Sequence, residues 1–433
     1  MTAFLRSPAV ISRNGCFSPE NGDGLWDAIF VFGMPNGEST AGDGTTRAPG
    51  KTLGLQRNRG IEAASTVAFY AGFALTGICI ALPGAVLPTL LKQWHLSDRG
   101  AGMLFLLFFF GSTTGCFSSR GNPVKCIAWG AAIGAFGCSA LALGHLRILD
   151  EVFFAYGFAQ GMLITCITRV RLAVHAAKRV QEINRLNFVW GIGAFLCPAL
   201  MNSLLRAHNL RWLFLLLAVV FALLFLWMVA VEFRHLKLGA EPQPSSPALG
   251  LRLPRIVLLS TFLTVGLESA TGAWIATYSH RLHSGWDPPI EAATLLWLGL
   301  LTSRALCATR GVHALGIPRL LRLCALLAAS GSLLAVAAPH EATVLVAALL
   351  VGLGIGPVYP TLIATTLPRV AANSIFVAGG MGSAFFPWLT GMLSGQAGSL
   401  RIGMGVPMGA ALLLLLMMPT LLRTLKSWDE ASL

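Results

Sequence analysis

The chain has 433 residues, of which 55% are hydrophobic and only 11% are charged. Soluble domains carry about a quarter charged residues, so this composition excludes an ordinary soluble protein and predicts an integral membrane protein. The net charge of +13 does not indicate a nucleic-acid partner, because the basic residues lie in separate short segments between apolar runs.

Residues 1–62 are rich in Gly, Pro, Asn, Ser and Thr, which predicts a disordered cytoplasmic tail. The apolar stretch in this tail, Leu25 to Met34, has ten residues and is too short to cross a bilayer. It also lacks a basic flank and a small-residue cleavage site, so it is a poor signal peptide. The gap before the first long apolar run leaves two translation starts open, Met1 and Met34, which the intact mass of the native protein would distinguish.

Apolar runs long enough to cross a bilayer, which takes about 20 residues, recur from residue 66 to residue 424. They predict an all-α integral membrane fold with twelve transmembrane helices in two six-helix pseudo-repeat bundles. The N-terminal bundle spans 66–232, a Pro-rich cytoplasmic linker spans 233–254, the C-terminal bundle spans 255–424, and a cytoplasmic tail spans 425–433. The predicted spans are 66–91, 100–119, 124–145, 151–172, 186–205, 211–232, 255–278, 289–305, 317–338, 342–366, 373–397 and 402–424.

The distribution of basic residues predicts the orientation of these spans. The two tails and the even-numbered loops hold 24 of the 31 Lys and Arg residues, and the odd-numbered loops hold 7. Basic residues favour the cytoplasmic side of a membrane protein. We therefore expect a multi-pass protein of the plasma or inner membrane with both termini in the cytoplasm.

Corresponding helices of the two halves share sequence patterns. Span two ends in Gly-x3-Ser-Arg at 115–120, and span eight ends in the same pattern at 299–304. Span five carries Phe-Val followed by Gly-x4-Pro at 188–198, and span eleven repeats this at 376–387. An internal repeat of six helices is typical of secondary transporters, whose halves move around a central site.

With this repeat, residues 66–424 resemble the major facilitator superfamily. Within it, Gly266-x-Glu268-x3-Gly272-x-Trp274-x3-Tyr278 in span seven is similar to the fucose and glucose permease branch, as are 352–357 and 359–360 in span ten. The resemblance implies secondary active or facilitative transport of a small solute, a sugar or a similar polar compound, by alternating access. It leaves open whether a proton, sodium or nothing is coupled, and whether the solute is imported or exported.

Glu268 is the strongest functional candidate, because it is the carboxylate predicted well inside a span, where an unpaired charge is costly. Thr271, Ile275 and Tyr278 follow it at helical spacing and complete a mostly polar stripe. We interpret Glu268 as a substrate-binding acceptor or as the proton-coupling residue. The alternative is a structural carboxylate that bonds to neighbouring helices.

The other candidates for the substrate site are polar or aromatic residues inside spans, and each could instead serve helix packing. Aromatic rings could stack on a sugar ring or anchor a helix at the membrane interface. These candidates are Thr271, Trp274, Tyr278, Asn187, Trp190 and Gln160. Arg120 and Arg304 stand at matching helix ends and are predicted to close a cytoplasmic gate.

Enzymatic motifs are absent from the sequence. Gly50-Lys51-Thr52 resembles the end of a phosphate-binding loop, but Thr45 stands where that motif requires Gly. HExxH and GxSxG do not occur, and the nine cysteines stand singly without metal-ligand spacing. We expect no enzyme, no cofactor and no metal, and a monomer whose partners are a small-molecule substrate, a co-transported proton and the lipid bilayer. A membrane-embedded transferase, an efflux transporter of apolar compounds and a transporter-like sensor remain alternatives.

Overall fold

The computed structural model describes residues 56–144, 148–175, 179–207, 209–233, 253–283, 285, 290–307, 315–366 and 373–430. Regular secondary structure in these ranges is helical throughout. The predicted tail up to residue 55, the linker at 234–252 and residues 431–433 lie outside the described residues.

The helices fall into two successive sets. The N-terminal half contains α1 (Gln56–Gln93), α2 (Asp98–Ser118), α3 (Pro123–Leu143), α4 (Leu149–Val174), α5 (Arg179–Ala207) and α6 (Leu210–Phe233). The C-terminal half contains α7 (Arg255–Arg281), α8 (Ala292–Cys307), α9 (Gly316–Ala337), α10 (Glu341–Ile355), α11 (Val358–Thr366), α12 (Asn373–Ala397), α13 (Leu400–Gly403) and α14 (Gly405–Glu430).

Helix ends follow local chemistry. The Ser97 hydroxyl accepts a hydrogen bond from the Gly100 amide at the start of α2, and the Asn122 side chain caps α3 in the same way. Gly144 ends α3 in the left-handed conformation at φ 70°, which glycine adopts without a steric penalty. Pro357 has no N–H to donate to the helix ladder, and at this point α10 gives way to α11.

Eleven of the described helical segments are long and apolar enough to cross a membrane, when α10 and α11 count as one span, Glu341–Thr366. The apolar helix α8, Ala292–Cys307, is shorter, with 16 residues, and takes the place of the predicted eighth span. Each predicted span thus corresponds to a helix, and the all-α membrane fold expected from the sequence is confirmed.

Glycines allow close packing of the same helix pair in each half. A Cβ atom on Gly157 of α4 would lie 1.9 Å from the Phe108 carbonyl oxygen of α2. In the C-terminal half, a Cβ atom on Gly352 of α10 would lie 2.1 Å from the Leu296 carbonyl oxygen of α8. Only a residue without a side chain permits such backbone contact between membrane helices.

Three helix pairs bring the described parts of the two halves into close contact at glycine residues. Gly84 of α1 packs on the backbone of Gly272 in α7, and Gly102 of α2 packs on Gly391 in α12. Gly191 of α5 faces Leu301 of α8. These contacts leave parts of α5, α7, α8 and the start of α11 around one polar region between the halves.

Candidate functional site

Glu268 lies halfway along α7, at the middle of a 27-residue candidate span. Its Oε2 atom is 3.9 Å from Nη2 of Arg304 on α8, and each of the two side chains is 14% exposed. An ionised group at this depth requires a partner of opposite charge, because lipid and protein solvate it poorly. Glu268 and Arg304 therefore form an intramembrane ion pair that remains partly accessible.

The Arg304 guanidinium binds a backbone carbonyl that is left free where the helical hydrogen bonding of span ten is interrupted. The carbonyl of Gly356 would normally accept from the amide of residue 360, but that residue is Pro360 and has no N–H. The Nε atom of Arg304 donates to this carbonyl at 3.0 Å. Tyr359, on the same broken segment, lies near both Glu268 and Arg304.

Two tryptophans complete the site and come from opposite halves. The guanidinium carbon of Arg304 lies 5.5 Å from the ring centroid of Trp190 on α5. The Trp190 ring meets Trp297 of α8 edge-on, with centroids 5.8 Å apart. Both indole Nε1 atoms are buried and have no hydrogen-bond acceptor among the described residues. We call Glu268, Arg304, Trp190, Trp297 and Tyr359 the central cluster.

Of the residues predicted from the sequence, Glu268, Trp190 and Arg304 come together in the central cluster. Asn187 lies one turn before Trp190 on α5 and is half-buried. Gln160 of α4 is buried inside the N-terminal half, where its Nε2 atom donates to the Thr76 carbonyl at 2.9 Å.

The other substrate-site residues predicted on α7 lie outside the central cluster. Trp274 is fully buried, its Nε1 atom donates to the Pro387 carbonyl on α12 at 2.9 Å, and its ring packs on Phe105 of α2. The Tyr278 hydroxyl donates to the Ala335 carbonyl on α9 at 3.0 Å. Thr271 lines a small void within the C-terminal half. Substrate contacts by these three residues stay predictions.

The two predicted gate residues occupy different environments. Arg120 is exposed and follows the end of α2. The guanidinium of Arg169 on α4 donates hydrogen bonds to the carbonyls of the neighbouring residues Ser119 and Gly121, at 2.6 and 3.3 Å. Arg304 instead lies within the central cluster. A gating role for either residue stays a prediction.

Sequence reasoning missed a buried ion pair in the N-terminal half. The Nε atom of Arg171 on α4 lies 2.6 Å from Oε1 of Glu182 on α5, and the two side chains are 4% and 1% exposed. Arg171 also donates to Thr66 and Tyr70 of α1. The signal in the sequence was Glu182, a single carboxylate in an otherwise basic segment. It was missed because span five was predicted to begin at residue 186, which left Glu182 in a loop.

A second missed contact ties the halves at one end of the molecule, which we call the distal end because it lies opposite the start of α1 and the end of α14. Asp98 at the start of α2 binds Arg281 at the end of α7 through two hydrogen bonds of 2.6 and 2.8 Å. Ser394 of α12 donates to the same carboxylate. Asp98 therefore joins one helix of the N-terminal half to two of the C-terminal half.

Comparison with known proteins gives one family and several similar folds. The family model for the Major Facilitator Superfamily matches residues 69–374. A search of curated proteins finds no match. Among solved structures, the chain is similar to the human organic anion transporter MFSD10 (TETRAN), with a TM-score of 0.57 and 16% identity over 82% of this chain and 99% of that one.

Two further solved structures have the same fold. The peptide transporter POT, in complex with alafosfalin, gives a TM-score of 0.65 and 15% identity over 82% of this chain and 94% of that one. The Escherichia coli fucose:proton symporter FucP gives a TM-score of 0.55 and 14% identity over 82% of this chain and 98% of that one. At such identities the similarity concerns the fold.

Proposed function

The chain belongs to the Major Facilitator Superfamily, as its internal repeat predicted, and from this premise we propose that it carries a small polar solute across its membrane by alternating access. The observation that supports this most is the central cluster. It brings together the Glu268 carboxylate, halfway along α7, and the Arg304 guanidinium, each 14% exposed, and Arg304 also contacts Trp190 of the other half. Transporters with two repeats bind their solutes at this position.

The energetics of the ion pair favour a functional role over a structural one. A buried ion pair adds little net stability compared with apolar side chains of the same volume, because both charges lose their hydration. Glycine contacts and apolar side chains already hold the helices together. The pair formed by Glu268 and Arg304 is therefore best explained by what it binds.

The solute and its coupling belong to the proposal. The neighbouring structures are named for an organic anion, a peptide and fucose with a proton, so a shared fold is compatible with several solute classes. The span-seven and span-ten motifs support a sugar or a similar polar compound. We propose that Glu268 takes up the coupled proton when its contact with Arg304 is lost, since a neutral carboxyl group tolerates the apolar surroundings better than an unpaired carboxylate.

The orientation follows from the excess of basic residues in the tails and even-numbered loops. Both termini then face the cytoplasm of a cell with this protein in its plasma or inner membrane. The distal end, closed by Asp98 and Arg281, faces outward. The described arrangement corresponds to a state closed on the outside.

Counterflow tests the proposal without requiring a known driving gradient. The purified protein is reconstituted into liposomes that contain an excess of one unlabelled solute, and uptake of the same labelled solute is measured for a panel of sugars and other polar compounds. We expect accumulation for at least one solute, and for Glu268→Gln we expect retained counterflow but loss of proton-driven uptake, because Gln resembles the protonated carboxyl group and cannot release a proton. Glu151→Gln is the matched control, since Glu151 is exposed at the start of α4.

The outcomes separate the functions that the sequence left open. If no polar solute accumulates while the protein is folded and inserted, the proposed function is wrong, and export of apolar compounds or solute sensing becomes the better interpretation. If Glu268→Gln retains counterflow but loses proton-driven uptake, Glu268 serves coupling and is not required for solute binding.

A further inference from the structure

We propose that the solute carries a carboxylate group, which Arg304 and the indole N–H groups of Trp190 and Trp297 bind in the central cluster. This inference rests on the proposed function and specifies its solute class. The observations behind it are the unpaired indole donors among the described residues and the positive charge of Arg304 beside them.

The indole N–H groups indicate that the solute presents hydrogen-bond acceptors to the site. Trp297 is 4% exposed, and the Nε1 atoms of Trp190 and Trp297 are buried without an acceptor among the described residues. An indole N–H is a donor only, and buried donors in folded proteins nearly always have an acceptor. Since the two rings come from different halves and touch each other, a solute that presents oxygen acceptors here would contact both halves.

Arg304 adds a charged donor to the same region. Trp297 and Arg304 are seven residues apart, so they lie on one face of α8, two turns from each other. In the described residues, Arg304 uses its Nε atom for the Gly356 carbonyl, and its Nη2 atom is 3.9 Å from Glu268. This second distance exceeds that of a direct hydrogen bond, so the outer edge of the guanidinium can still bind a planar, two-oxygen acceptor.

A carboxylate fits the charge of the site better than other polar groups do. It can replace Glu268 beside Arg304, one negative charge for another, whereas a phosphate dianion would place additional negative charge beside Glu268. An amine could pair with Glu268, but it would leave both indole N–H groups without an acceptor. A neutral sugar could accept hydrogen bonds from the indoles. It would bring no anion closer to the guanidinium than Glu268, which is 3.9 Å away.

The test compares solutes that share one ring and differ in a single group. Glucose, glucuronate, glucuronamide, glucosamine and glucose 6-phosphate are tested in counterflow, and the acid and amide pair lactate and lactamide extends the comparison to small solutes. The same compounds are added to the purified protein to measure the shift of its thermal unfolding midpoint. We expect a response to carboxylates, and one at least about 10-fold weaker to the matched amides, because hydrogen bonds with charged partners are the stronger ones.

Variants assign the response to the cluster. Arg304→Gln is expected to lower the apparent affinity for the carboxylate about 10- to 100-fold, and Trp297→Phe or Trp190→Phe about 2- to 10-fold, as expected for loss of a charged and a neutral hydrogen bond. Arg304→Lys keeps the charge but not the two-pronged donor, and it shows whether a loss in Arg304→Gln reflects folding. The controls are Arg423→Gln and Trp129→Phe, since both residues are exposed.

Each outcome bears on one of the two proposals. Transport of neutral sugars and of amides as well as acids, with Arg304→Gln unimpaired, overturns the carboxylate inference and leaves the transport function in place. A response only to the phosphate or only to the amine also overturns it. Absence of counterflow and of any thermal shift across the whole panel contradicts both proposals.

Discussion

The residue Pro360 determines where Arg304 points. Because Pro360 cannot donate to the Gly356 carbonyl, this acceptor is left open inside an apolar span, and the Nε atom of Arg304 satisfies it at 3.0 Å. The Nη2 atom of Arg304 then lies 3.9 Å from Oε2 of Glu268, and the guanidinium carbon lies 5.5 Å from the Trp190 ring centroid. One missing backbone N–H thus orients the charged centre of the proposed solute site.

A double-mutant cycle measures how far Glu268 and Arg304 depend on each other. Glu268→Gln leaves the Arg304 charge unpaired, and Arg304→Gln leaves Glu268 unpaired, so each single variant is expected to lose about 3 kcal/mol of stability. The double variant has no unpaired charge and should recover at least half of this loss. Thermal unfolding of the purified variants is the measurement, and a double variant no more stable than the singles would contradict the pairing.

Individual polar residues in apolar runs were the part of the site that the sequence could predict. Glu268 and Trp190 stand out because a charge or a bulky polar-edged ring inside a span needs a reason. Trp297 was missed, because it occurs within the apolar run from Leu295 to Leu301, where an aromatic ring is typical of helix packing. The contact of Arg304 with Glu268 could not be predicted, since spacing along one helix does not fix how two helices face each other.

At the scale of helices, the apolar runs predicted the spans but not their ends. Helix α5 begins at Arg179, seven residues before its predicted span, and this extra segment carries Glu182 to its contact with Arg171. Outside the hydrocarbon region a helix depends on such local partners and not on apolarity. The interruption between α10 and α11 follows from Gly356-Pro357, which hydropathy alone does not register.

Glycine contacts between helices give the second prediction at this scale. Gly157→Ala should force α4 away from α2, because the new methyl group would lie 1.9 Å from a backbone oxygen that cannot rotate aside. We expect a loss of about 1–3 kcal/mol, the usual cost of overpacking. The equivalent change in the C-terminal half, Gly352→Ala, should cost a similar amount, since its methyl group would lie 2.1 Å from the Leu296 carbonyl oxygen.

A matched glycine distinguishes overpacking from a general effect of alanine. Gly409→Ala on α14 places its methyl group in open space. This variant should be neutral or more stable by up to about 1 kcal/mol, because alanine favours a helix over glycine. Equal unfolding midpoints for Gly157→Ala and Gly409→Ala would show that the close approach of α2 and α4 is not needed.

At the scale of the whole molecule, the central cluster and the distal contact act at different levels of one interface between the halves. Trp190 and Trp297 meet near the middle of the molecule, while Asp98, Arg281 and Ser394 join the halves at the distal end. Alternating access requires the distal contact to open while the helices within each half stay packed. The close glycine contacts keep the helices of each half packed. Arg281 is 42% exposed, so its contact with Asp98 can open without disturbing that packing.

Breaking the distal contact should shift the molecule toward a state that is open at the distal end. Asp98→Asn removes the charge that binds Arg281, and a partly exposed ion pair contributes about 0.5–1 kcal/mol, so the open population should rise about 2- to 5-fold. Spin labels placed at Gln93 and Gln396 in a variant without native cysteines report the distance between the distal ends of the halves. We expect a larger fraction of long distances in Asp98→Asn, and recovery of the original distribution in the charge exchange Asp98→Arg with Arg281→Asp. The control Lys92→Gln changes an exposed charge at the end of α1 and should leave the distance distribution unchanged. If Asp98→Asn also leaves it unchanged, the packing of α2 on α12 alone keeps the distal end closed.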